Sequence, residues 1–273
     1  MIITFYGTRG SIPVCDENFQ EFGGNTTCIS FYRPDTDTLA IIDAGTGIRN
    51  LGKEMMNQED RQKTISIGFT HFHWDHIQGF PFFLPAYDKE TTLNIMSVGE
   101  TTEWELRSIL RGQMQSEYFP IPMSKMGGRF KYTNLGIDFV DVNGTKIRMI
   151  KQNHPGDSYG IRIELEDKAI VICTDIEHDD VISEDFIAFC RDADLLVHDA
   201  QYTDEELLTH RGWGHSSYSQ ALEVAERANA RMLVLTHHDP DHDDDFLRKM
   251  EKKCKDRFRD CELAREGSQY NTG

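Results

Sequence analysis

Residues 70–79 read THFHWDHIQG and follow the apolar run ISIGF without a break. Within six positions they carry His71, His73, Asp75 and His76. Alternate side chains of an extended strand point to one side. His71, His73 and Asp75 therefore converge where the strand leaves the core, with His76 turned beside them. Imidazole nitrogens and carboxylate oxygens are donors that zinc, iron and manganese accept. A cluster of this kind constrains the fold: its strand must end at an open sheet edge, where other segments can bring further donors to an ion.

Three such donors stand at the ends of other predicted strands: His154 in IKQNHPG, Asp175 in VICTDIE and His237 in LVLTHHD. Strands that finish at one edge of a sheet pool their last residues there, which is where α/β proteins build sites. IITFYG, CISFYR, LAIIDAG and KTISIGFT read as a first series of strands, followed by a helical stretch over 100–115. IDFVDV, KIRMIKQN, GIRIELED, AIVICTD and DLLVHDA read as a second series. A helix over about 217–230, the strand RMLVLTHHD and a charged, periodic tail over 244–266, read as a terminal helix, complete the chain. Strands then helices, twice over, predict an α/β fold: a four-layer αβ/βα sandwich of two halves packed sheet against sheet. With 273 residues and no low-complexity stretch, residues 1–273 are expected to form one domain.

The segments THFHWDHIQG, NHPG, CTD and LTHHDP, in that order, resemble the metallo-β-lactamase superfamily, in particular its ribonuclease Z-like and cyclic-nucleotide-phosphodiesterase-like branch. The likeness extends to the opening GTRGSIPV…FGGNTTC and to GWGHSSYSQALEVA…LVLTHHDP, and so runs through most of the chain. It implies two divalent metal ions, zinc, iron or manganese. His71, His73 and His154 would hold one, Asp75, His76 and His237 the other, and Asp175 would bridge them. It also implies that His215 lies beside the ions without ligating them, stabilising charge or protonating a leaving oxygen. An acidic residue orients that histidine, here Asp199 in LLVHDA where the family often has glutamate. Asp75, His215 and Asp199 are thus the catalytic candidates, and Asp43 in IIDAGTG is expected to support a ligand histidine. The implied activity is that of a dinuclear metal-dependent hydrolase, a phosphodiesterase cleaving a small nucleotide phosphodiester through a metal-bridging hydroxide. The alternative is a non-haem diiron protein that binds dioxygen as a sensor or oxidoreductase, a use to which other branches of the superfamily put the same fold.

Composition bears on partners. A formal charge of −17, from 46 acids against 29 bases, sets a field that repels polyanions over most of the surface. It argues against long nucleic acid and for a small-molecule substrate such as a nucleotide. Six cysteines without a C-x-x-C pair are expected to be reduced, mostly buried thiols. Neither a signal peptide nor an apolar run of bilayer length is visible, so the expected location is cytoplasmic, with no membrane partner. Residues 107–129 are placed to fold over the metal edge, where Tyr118, Phe119, Met123 and Met126 would wall a pocket or form a homodimer contact. His198 is expected in the core. His238 and the acidic run after it are expected behind His237 or in a solvated loop.

Overall fold

A computed structural model, describing residues 1–137, 139–142 and 144–272, shows two mixed seven-stranded sheets among the described residues. The first contains β1 (Ile2–Gly7), β2 (Cys28–Arg33), β3 (Thr38–Ile42), β4 (Thr64–Phe69), β5 (Thr92–Ser97) and β6 (Arg129–Asn134). The second is built from β7 (Val140–Val142), β8 (Thr145–Gln152), β9 (Ser158–Leu165), β10 (Lys168–Cys173), β11 (Leu195–Asp199), β12 (Leu233–Thr236) and β13 (Cys261–Leu263). The last strand, β14 (Gln269–Asn271), returns to the first sheet and pairs antiparallel with β1. Helices α1 (Ile48–Met56), α2 (Trp74–Ile77) and α3 (Glu103–Gly112) follow strands of the first half. Helices α4 (Glu184–Cys190), α5 (Asp204–Leu207), α6 (Tyr218–Arg227) and α7 (Asp244–Arg257) follow those of the second.

Three apolar layers hold this order, and the period-2 alternation of the strands creates them. Ile42 of β3 and Ile170 and Ile172 of β10 face the space between the sheets, joined there by Ile3, Phe5, Ile161, Ile163 and Val234. Their neighbours Ile41 and Val171 face outward onto helices. Behind the first sheet lie Ile48, Leu51 and Met55 of α1 with Leu106 and Leu110 of α3. Behind the second lie Phe186 of α4, Leu222 of α6 and Leu247 of α7. The result is helix, sheet, sheet, helix, the sandwich the sequence predicts. No described helix is long and apolar enough to cross a membrane.

Several elements differ from the sequence reading. The tail is helical only to Arg257; Phe258 turns extended, and Cys261–Leu263 adds a parallel edge strand beside β12. Backbone pairing overrides the helical period of the tail there, because the sheet edge offers unpaired donors and acceptors. Helix α1 went unread although Ile48, Leu51 and Met55 repeat at helical spacing and are buried. Of IDFVDV only Val140–Val142 is a strand, and Asp138 lies outside the described residues.

Strand direction decides where the chemistry sits. β3, β4, β5 and β6 run parallel, as do β10, β11, β12 and β13. β8 points the same way as β10 because both are antiparallel to β9. The strands that precede His71, His154, Asp175, Asp199 and His237 therefore discharge their next residues at the same edge within each sheet. The inter-sheet core sets the spacing of the halves. Ile170→Ala, at a fully buried position, is expected to lower unfolding free energy by about 2–5 kcal/mol, read as a lower urea midpoint at unchanged slope. An unaltered midpoint would show that the sheets do not depend on this contact.

Candidate metal centre

β4 ends at Phe69, and the chain then crosses the sheet edge as residues 70–73 before α2 begins at Trp74. This places His71 and His73 on the loop and Asp75 and His76 on the first turn of α2. His71 Nε2 lies 3.0 Å from His73 Nδ1, which is 2.9 Å from His154 Nε2. Beside this trio, His76 Nε2 lies 3.1 Å from Asp175 Oδ2 and 3.3 Å from Asp75 Oδ2. His237 Nε2 lies 3.1 Å from Asp75 Oδ2 and 3.3 Å from Asp175 Oδ1. The same Asp175 oxygen is 3.7 Å from His71 Nε2 and 3.9 Å from His154 Nε2. All seven residues singled out in the sequence thus share one edge, with Asp175 between the two groups. Six of the seven are buried, and His73 is exposed.

The other ring nitrogens are already engaged, which fixes how each imidazole points. His154 Nδ1 donates to the Gly214 carbonyl at 2.8 Å, and His237 Nδ1 to Gln201 Oε1 at 3.0 Å. His76 Nδ1 lies 2.9 Å from Asp43 Oδ2, and His71 Nδ1 is 3.1 Å from the Thr70 hydroxyl. Asp43 also accepts from the Thr70 amide and hydroxyl at 2.8 Å each, the supporting place expected for it. Four Nε2 atoms are left facing inward. A side chain at Gly214 or Gly10 would obstruct this, since a Cβ there would fall 2.0 Å from His154 Nδ1 or 2.3 Å from His237 Nδ1.

The donor set fits divalent ions. His76 Nε2 and Asp175 Oδ2 are buried and make no hydrogen bond of acceptable geometry among the described residues, an arrangement costly to leave so. Burial opposes charge on His76, yet Asp175, Asp75 and Asp43 hold its pKa well above the ordinary value. Burial likewise opposes charge on His237, but Asp175, Asp75 and Asp199 raise it to about 9. Burial, with the neighbouring histidines adding to it, pushes His71, His73 and His154 down, so these present lone pairs. Clustered carboxylates that hold protons on buried imidazoles mark a place where positive charge is favoured.

His215 stands beside the cluster, its ring stacked on His237 at 4.9 Å and edge-on to His154 at 5.3 Å. Its Nδ1 is 2.9 Å from Asp199 Oδ2, so aspartate reaches where the family often has glutamate. Asp199 is held in turn by the amides of Asp175 at 3.1 Å and Ser216 at 2.9 Å. His198 is buried as expected, 3.1 Å from His178 Nε2. His238 bonds to the Ala264 carbonyl, not to His237. Met123 and Met126 are core residues of the first half, whereas Tyr118 is exposed and Phe119 half-buried.

Three supporting residues escaped the sequence reading. Gln201 orients His237; the Ser11 amide donates to Asp75 Oδ2 at 2.9 Å. Glu177 accepts from the amides of Gly212 and Gly214 at 2.8 Å, fixing the loop that carries His215 and receives His154.

Comparison with known proteins agrees with this geometry. The sequence profile of the family described as "Beta-lactamase superfamily domain" matches residues 39–238. The chain belongs to this superfamily. Its relatives within the superfamily include proteins named ribonuclease Z and ribonuclease BN. It is 23% identical to ribonuclease Z of Haloarcula marismortui over 87% of this chain and 86% of that one. It is 24% identical to ribonuclease BN of an Enterobacter species, covering 97% and 98%. The crystal structure of the short form of human tRNase Z superposes with a TM-score of 0.71 at 18% identity, over 100% of both chains. These relatives overturn the expectation that charge excludes long nucleic acid. A net charge of −17 is a sum over the whole surface, while bound cations set the local field at such a site.

His178 generates a testable pH dependence. Burial, then His198 and Arg227, push its pKa down to about 2. The unfolded chain protonates this side chain near pH ~6.5, the folded chain only far lower, so the unfolded state binds more protons between these limits. This contribution is complete above pH ~6.5 and falls as pH drops below it, by up to about 1.4 kcal/mol per pH unit. His178→Gln is expected to flatten the loss of stability between pH ~6.5 and ~5, followed by urea midpoints. Parallel profiles for the two proteins would contradict this.

Proposed function

We propose that this superfamily member hydrolyses phosphodiester bonds of ribonucleotide chains with two divalent ions, and that residues 1–273 act as one catalytic domain. His71, His73 and His154 would hold one ion, Asp75, His76 and His237 the other, with Asp175 shared between them. The observation that carries the reading is the His215–Asp199 pair, at 2.9 Å, set against a seven-donor cluster with Asp175 at its middle. The ribonuclease names of relatives matched over 86–98% of their lengths support the ribonucleotide chain as substrate. A histidine–carboxylate pair beside the ions supplies the proton donor that a leaving oxygen needs, and this favours hydrolysis.

Bound ions would supply Lewis acidity and lower the pKa of a water to near neutrality. The chain's own residues do the rest. Asp75 is proposed in two roles, as ligand and as acceptor of the proton released when water attacks. The Ser11 amide and His237 hold its carboxylate in place. Asp199 takes the hydrogen on His215 Nδ1, which turns Nε2 toward the cluster to donate a proton to the leaving oxygen or to offset its charge. Zinc, manganese and iron all suit these donors.

Metal-loaded protein is expected to cleave short single-stranded RNA and bis-p-nitrophenyl phosphate. His215→Ala should lower kcat by about 10²–10⁴ with metal content unchanged by elemental analysis. Asp175→Ala should abolish activity and leave less than one tightly held ion per chain. No turnover with zinc, manganese or iron overturns the proposal.

A further inference from the structure

Trp74 lies between the proposed ligands His73 and Asp75, yet its side chain is 73% exposed. An indole left in water inside a metal-binding motif calls for a reason, since large exposed apolar groups tend to cluster where something binds. Around it, Phe72, Phe82, Gln113, Tyr118 and Phe119 line an open groove of about 850 Å³, inside the range of small-molecule sites, roughly 300–1,000 Å³. Phe82 and Tyr118 are also exposed, at 51% and 70%. Phe82 meets Phe119 edge-on, with ring centroids 5.4 Å apart. The groove thus carries a contacting pair of rings together with the exposed indole.

Two observations say what fits there. Gln113 lines the groove, and its Nε2, covered in this rotamer, has no hydrogen-bond partner among the described residues; a turn of the side chain presents this donor to an acceptor in the groove. Gln78 and Gln115 add two more amides, and Glu117 is the one acid in the lining, although the chain carries 46. Flat rings, neutral amide donors and acceptors, and a single local carboxylate are the chemistry of a nucleobase site. Every base has a face for stacking and an edge for hydrogen bonds. The groove is also tied to the metal edge, because the Trp74 Cα is one peptide, about 3.8 Å, from those of His73 and Asp75.

We propose that this groove binds a nucleobase of the substrate next to the bond that is cut, with Trp74 as the stacking residue and Gln113 as a donor to the base edge. The proposal rests on the phosphodiesterase reading for its place beside the reaction, but base binding itself requires no turnover.

The test separates the two. In the full chain carrying Trp104→Phe and Trp213→Phe, Trp74 is the remaining tryptophan of three, and its fluorescence reports the groove. Adenosine is expected to quench it saturably at millimolar concentration, and Tyr118→Ala or Gln113→Ala to weaken the titration about tenfold. Absence of saturable quenching, or quenching indifferent to both substitutions, overturns the base site. In the metal-loaded enzyme, Trp74→Ala is expected to reduce kcat/KM for the dinucleoside phosphate ApA about tenfold further than for methyl p-nitrophenyl phosphate, which has no base. Trp74→Phe should restore most of that difference. Equal losses on both substrates would show that Trp74 only supports the ligand loop, overturning the proposal. Sedimentation gives the last check: a dimer that shields Trp74 from acrylamide, with no response to adenosine, assigns the groove to a second copy of the chain instead. A protein that binds adenosine but hydrolyses neither ester keeps the base site and removes the hydrolase reading.

Discussion

The carboxylate of Asp175 is the point around which both halves of the molecule are arranged. One oxygen faces His76 at 3.1 Å and the other His237 at 3.3 Å, and His71 and His154 lie just beyond. An isolated buried carboxylate would cost several kcal/mol through lost hydration, so the residue is stable there only among positive groups. His237 and His154 come from the second half, His71 and His76 from the first. Neither sheet alone could satisfy Asp175. The packing of Ile42 and Phe5 against Ile170 and Ile172 is therefore part of the site as well as of the core.

The backbone adds a second constraint. Asp43, Asp175 and His237 all take left-handed conformations, with φ of 61°, 58° and 63°. Side chains other than glycine resist that region at a cost of order 1–3 kcal/mol each. Asp43 and His237 follow directly on β3 and β12, and Asp175 stands two residues beyond the end of β10. An extended continuation would carry the side chain along the strand direction, past the edge. The left-handed turn instead swings it into the space between the sheets, where its partners are. Strain at three supporting points is the cost of converging donors from three strand ends on one small volume.

These physics explain what a reader of the sequence could see. His71, His73, Asp75, His76, His154, Asp175 and His237 were legible because each is a donor type and each follows a readable strand. The dyad was legible only through the family resemblance, which pointed to Asp199 at the close of an apolar run. Gln201, Glu177 and Ser11 were not, because a glutamine, a surface-facing glutamate and a backbone amide carry no signature until the fold places them. The three-residue strands at Cys261–Leu263 and Gln269–Asn271 were missed because two or three pairings with a neighbour decide them, not local propensity. Net charge misleads for a different reason: it is a sum over the surface, whereas a partner responds to the local field.

The opening segment GTRG shows how far from the donors their geometry is determined. Arg9 is fully buried, an expensive position for a guanidinium that burial pushes below its ordinary pKa. Its hydrogens go to the carbonyls of Gly23 at 2.8 Å, Asp239 at 3.0 Å and His242 at 2.6 Å. The next residue, Gly10, donates its amide to the His238 carbonyl at 3.0 Å, and Ser11 donates its own to Asp75 at 2.9 Å. Three consecutive residues thus tie the loop behind His237, in the second half, to a carboxylate in the first. Lysine could not replace Arg9 without loss, since a point charge lacks the planar fork that reaches carbonyls on two loops at once. The His237–Asp75 distance of 3.1 Å is therefore set by a strap that contributes no donor of its own. Arg9, Gly10 and Ser11 belong to the centre as much as the motif at residue 70 does.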